Sequence, residues 1–75
     1  MNLSEIVIGK KVKILEIECA NKVKERLFDM GIDVGVDATL IRKAPLGDPL
    51  EYKIKDFYIA IRKLDAKKII VRYYE

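Results

Sequence analysis

The spacing of apolar positions along the chain switches between two periods, and each switch marks an element. In "KKVKILEIE", Val12 and Ile14 alternate with Lys11 and Lys13, the period of a strand with one buried face. Leu15 and Ile17 then take up the opposite phase, which predicts a bulge or sharp bend near Ile14–Leu15. From Ala20 the period lengthens. Ala20, Val23, Leu27 and Met30 recur at spacings of three, four and three, one face of a helix across "ANKVKERLFDMG". Asn21 is the expected N-cap and Gly31 the left-handed residue just past the end, with Ile32 folding back onto Leu27. A helix of about nine residues does not persist alone in water, so it must pack on a sheet, with Leu27 as its anchor.

The two-residue period then returns. "IDVGVD" places Gly35 at the third position of a type II turn, where φ is positive. "ATLIRKA" reads as a strand, and "APLGDP" as the loop after it. "LEYKIK" puts Leu50, Tyr52 and Ile54 on one face, with Glu51, Lys53 and Lys55 on the other. "FYIAIR" repeats the pattern, Phe57, Ile59 and Ile61 inward and Tyr58, Ala60 and Arg62 outward, with Asp56 as a tight hairpin turn between the runs. "KLDAKK" predicts a turn or single helical turn, and "IIVRYY" a last strand. The sum is a mainly β fold with one short helix. Five short strands with brief connections predict a small closed barrel rather than an open sheet, in a single domain over residues 1–75.

Composition narrows the classes. Seventy-five residues, 51% apolar and 36% charged, make one small globular domain with a thin core. No apolar run approaches the roughly 20 residues that span a bilayer. "MNLSEIVIGKK" lacks the basic and apolar regions of a secretory signal, and the single Cys19 rules out an internal disulfide and fits a reducing cytoplasm. The net charge of +3 is mild, with acids and lysines interspersed, which reads as a solvated mixed surface.

Reaction chemistry finds little to work with. There is no histidine, the one serine is Ser4, and Cys19 has neither a CxxC partner nor an obvious base, so no catalytic residue is assigned. A borderline metal would need mostly carboxylate ligands, and Asp33, Asp37 and Asp48 match no calcium-loop spacing, so no metal ligand or cofactor is assigned either. "APLGDP" has one glycine, no Gly-Lys-Ser/Thr ending and a strand rather than a helix after it, so it is no phosphate cradle. Pro45 and Pro49 fix φ and Gly47-Asp48 permits a reversal, the chemistry of a rigid turn. Its exposed Leu46 is the one feature a plain turn does not need.

The order of these features resembles a known family. "RLFDMGIDVGVDATLIRKAPLGDP" is similar to the heart of the FeoA family of ferrous iron uptake, and "LSEIVIGKKVKI" and "IAIRKLDAKKIIV" match its opening and its close. The matching signature residues are Arg26, Leu27, Gly31, Gly35, Pro45, Gly47, Asp48 and Pro49. Val34 stands where the family commonly has proline, and Asp56 where glycine usually makes the hairpin. The resemblance implies an SH3-like barrel with a helix packed across it, in a cytoplasmic accessory protein rather than an enzyme. It implies as partner FeoB, a ferrous iron transporter with a membrane domain and a cytoplasmic GTP-binding domain. Apolar groups outside the expected core, Phe28, Leu46, Tyr58 and Tyr74, are the candidate partner contacts. Two other readings are a nucleic-acid-binding barrel and an iron-binding protein acting as an oligomer. The first lacks aromatics interleaved with basic residues, so no nucleic-acid partner is expected, and the second lacks ligands within one chain.

Overall fold

A computed structural model describes residues 1–74. Its strands are β1 (Lys11–Ile17), β2 (Asp37–Lys43), β3 (Leu50–Ile54), β4 (Phe57–Ile61) and β5 (Ile69–Tyr73). Helix α1 (Asn21–Asp29) joins β1 to β2, and the single helical turn α2 (Lys63–Ala66) joins β4 to β5. All pairings are antiparallel, in the order β4-β3-β2-β1-β5. Strand count, helix and mainly β class are as the apolar pattern predicts. Closure is not: β4 and β5 are the two ends of the ladder and do not pair, so the sheet is strongly bent but open.

The bend has its sources in the strands. Pairing of β1 with β5 shifts register between Ile14 and Glu16, where the apolar phase slips. A second shift, between Leu40 and Arg42 of β2, has no counterpart in the apolar pattern. One face of the bent sheet carries Val12, Ile14, Ala38, Leu40, Leu50, Tyr52 and Ile54, all fully buried. The clean alternation of β3 is what produces this: its residues 50, 52 and 54 point inward.

Helix α1 closes as a Schellman motif. The Ile32 amide donates to the Leu27 carbonyl and the Gly31 amide to the Phe28 carbonyl, both at 2.9 Å. Gly31 has φ 90°, which a side chain would make costly. Leu27 is the one buried residue of the helix, with Val23 partly packed beside it, while Ala20 and Met30 are exposed. The start differs from the expectation. The Lys24 amide donates to the Ala20 carbonyl at 2.9 Å, so Ala20 occupies the cap position and Asn21 is already helical. No side chain caps this end.

The next turn behaves as read: the Val36 amide donates to the Asp33 carbonyl at 3.2 Å, and Gly35 has φ 89°. In the β3–β4 hairpin the left-handed residue is Lys55, φ 56°, rather than Asp56. The turn residues between paired Ile54 and Phe57 are Lys55 and Asp56, and the first of them carries the positive φ.

The N-terminal segment is an element the apolar pattern does not announce. Leu3–Glu5 form a 3-10 turn within a capping box. Asn2 Oδ1 accepts from the Ser4 amide, and Glu5 Oε1 accepts from the Asn2 amide. Leu3 is fully buried, and its carbonyl accepts from the Tyr52 hydroxyl at 2.6 Å inside the core. Burial pushes the Tyr52 phenol pKa above its ordinary value.

Candidate functional site

The "APLGDP" loop is a turn held at three points. The Gly47 amide donates to the Ala44 carbonyl at 2.7 Å, closing a four-residue turn with Pro45 at its second position. The Ala44 amide donates to the Pro49 carbonyl at 3.0 Å, and the Asp48–Pro49 peptide bond is cis. Asp48 Oδ1 accepts from the Lys63 amide at 2.9 Å, which satisfies a donor at the start of α2. The signature aspartate therefore ties the loop to the exit of β4, a role that spacing along the chain does not display. Leu46 sits at the third position of the turn, points away from the protein and is 97% exposed.

Phe28 is 64% exposed and lines a groove with Leu15, Ile17, Ile32 and Val34. Around the end of α1 lies a second groove, lined by Met30, Gly31, Ile54, Phe57, Tyr58 and Ile59. Asp29 borders both, so the grooves flank one helix end. A third, between α1 and β4, is lined by Val23, Arg26, Leu27, Met30, Ile61 and Leu64 among others. Phe28 and Tyr58 thus belong to neighbouring grooves around α1. Leu46 lines none of these three, and Tyr74 lies elsewhere, its hydroxyl donating to Asp37. That hydrogen bond raises the Tyr74 phenol pKa.

Phe57 corrects the inward reading of β4. It is 65% exposed, Ile59 is half-buried and Ile61 is buried, so burial fades toward the hairpin. The strand is at the sheet edge, and α1 ends at Asp29, leaving no further helical turn to cover its start. The alternation identified the face correctly but carries no information on how far the helix reaches. Leu15, Met30, Val34 and Leu64 are likewise exposed and, with Phe28, Phe57 and Tyr58, line the three grooves around α1, an apolar band interrupted by Lys24, Glu25, Arg26 and Asp29. Singly exposed apolar residues are ordinary on a folded protein, and several gathered about one helix are the more informative feature.

Cys19 is buried, with its Sγ 3.8 Å from the Asp65 carbonyl. Burial, with the Asp65 charge second, pushes its thiol pKa up, which disfavours the nucleophilic thiolate. Among the described residues no three His, Cys, Asp or Glu side chains gather as a metal site, and no helix is long and apolar enough to cross a membrane.

Comparison with known proteins agrees with this architecture. The FeoA domain family matches residues 1–73. A Fe(2+) transport protein A/Fe(2+) transporter FeoB fusion protein of Porphyromonas gingivalis is 37% identical over 71 residues, which are 95% of this chain and 8% of that protein. The solution structure of FeoA from Chlorobium tepidum superimposes with a TM-score of 0.94 at 31% identity, covering 100% of this chain and 71% of that one. A zinc complex of FeoA from Stenotrophomonas maltophilia, described as a procaryotic SH3 domain protein, gives 0.81 at 26% identity, covering 96% and 89%. The SH3-like character of the bent sheet is thereby shared with solved relatives.

Proposed function

The chain belongs to the FeoA family, and we propose that it serves ferrous iron uptake as a non-catalytic module docking on the cytoplasmic side of a FeoB-type transporter. The observation that carries this is the fused relative, in which a domain similar to nearly all of this chain is part of one polypeptide with a protein named as an Fe(2+) transporter. Tethering two modules raises their effective concentration, and it favours pairs that act in contact.

The apolar band around α1 is the docking surface in this reading, with Phe28, Met30, Phe57 and Tyr58 as its anchors. Aromatic and Met side chains in shallow grooves are the residue types that carry interface energy. Leu46 and Tyr74 stand outside that surface.

The test is calorimetric titration of this protein into the soluble GTP-binding domain of a cognate transporter, without nucleotide, with a diphosphate and with a non-hydrolysable triphosphate analogue. Saturable binding that differs between nucleotide states is expected of a regulator of that domain. No binding in any state, together with none to the full-length transporter in detergent, would contradict the reading.

A further inference from the structure

The outer face of the sheet separates its charges. Register places Lys11 beside Thr39, Thr39 beside Lys53, and Lys53 beside Tyr58, one row of side chains across four strands. At about 4.8 Å per strand the row is roughly 14 Å long. Two residues along β1, Lys13 lies beside Arg72 on one side and Asp37 on the other. Lys55 joins Lys11 and Lys53 along the rim of one shallow groove. Farther along the same face Arg42 is neutralised by Glu51 at 3.0 Å, the one ion pair among the described residues.

The five cations Lys11, Lys13, Lys53, Lys55 and Arg72 cluster with one carboxylate, Asp37, which already accepts the Tyr74 hydroxyl, while Glu16 stands beside Ile70 farther along the face. Their net of four exceeds the +3 of the entire chain, so the rest of the molecule is net negative by one. The protein is polarised, and the positive pole is a sheet face rather than a pocket.

We infer that this face rests against anionic phospholipid headgroups. Four of the five cations are lysines, point charges on flexible stems that suit a diffuse layer of phosphates better than bidentate reading. The row offers one aromatic, Tyr58, at its end, which is no stacking platform for successive bases but is the kind of ring that sits at headgroup level. The apolar band around α1 and the basic face meet at Lys55 and Tyr58, but Lys11, Lys13 and Arg72 line none of the band's grooves, so the inference does not depend on the docking reading and can fail separately.

The experiment is cosedimentation of the protein with vesicles of phosphatidylcholine alone or with about one third phosphatidylglycerol. Each juxtaposed cation is worth about a fivefold gain in partitioning. Binding to the anionic vesicles alone is expected at about 0.05 M salt, with loss at about 0.5 M. The double reversal Lys11→Glu/Lys53→Glu lowers partitioning on the order of twentyfold or more. Lys67→Glu/Lys68→Glu carries the same net charge at the other end of β5 and retains binding, and all four positions are exposed. Three results overturn the inference: no binding at low salt, equal loss in both double variants, or displacement from vesicles by a single-stranded oligonucleotide at equal phosphate concentration.

Discussion

The two edges of the sheet are finished in opposite ways. On the β5 side the N-terminal segment continues the ladder. The Val71 amide donates to the Met1 carbonyl at 3.0 Å, Asn2 bridges to Ile70, and Leu3 is buried behind them. On the β4 side no backbone hydrogen bond reaches the outer edge among the described residues, and Phe57 and Tyr58 stand exposed beside the grooves of α1. An unpaired edge is a liability that proteins ordinarily cover. One edge here is used to hold the fold, and the other is left where a partner can reach it.

Breaking the seal has the largest expected effect. Leu3→Ala removes a fully buried side chain and loosens the segment that covers β5, so it costs about 2–5 kcal/mol, read as a lower urea midpoint. A midpoint unchanged from wild type would mean that the N-terminal segment contributes nothing to the sealed edge. Tyr52→Phe is next, at about 1–3 kcal/mol, because it leaves the buried Leu3 carbonyl without a partner. The same tyrosine sets an alkaline limit. Its folded pKa is raised above the ordinary value of 10.0, so its contribution is intact below about pH 10 and is lost as pH rises further. Urea midpoints should fall above about pH 10 with a shallower slope in Tyr52→Phe; equal slopes would refute this origin.

How much of this was legible follows from what each signal encodes. Periodicity gave the strands, the helix, the Leu27 anchor and the bulge at Ile14, because each is a local consequence of which side chains must be buried. The N-terminal seal escaped it, since a three-residue turn is too short for a period, although Asn2 and Glu5 at capping-box spacing carried the signal. Sheet closure could not be read, because it depends on whether β4 and β5 meet, not on the pattern within either. All four candidate contacts, Phe28, Leu46, Tyr58 and Tyr74, are exposed, as expected of apolar groups outside the core. Phe57 was missed because alternation assigns a face and not a depth, and the basic row was missed because it exists only across strands.

Smaller effects sharpen the comparison at the open edge. Asp48→Ala frees the start of α2 just beyond β4 and costs about 1 kcal/mol, while Asp48→Asn retains most of it. Equal losses in a chemical-denaturation series would show that the acceptor oxygen is not what matters. Phe28→Ser and Phe57→Ser, both at exposed positions, change stability by no more than about 0.5 kcal/mol. A substantially larger loss would place these rings in the core and remove them from any docking surface.

The central claim, that the open side around α1 and β4 is the docking surface and the sealed side is not, is tested most directly by chemical-shift mapping. The labelled protein is titrated with the soluble GTP-binding domain of a cognate transporter. The account predicts perturbations concentrated on residues 23–30 and 57–61, with Met1–Ile6 and β5 unchanged. Perturbations centred on the N-terminal segment and β5, or on the Leu46 turn, would contradict it.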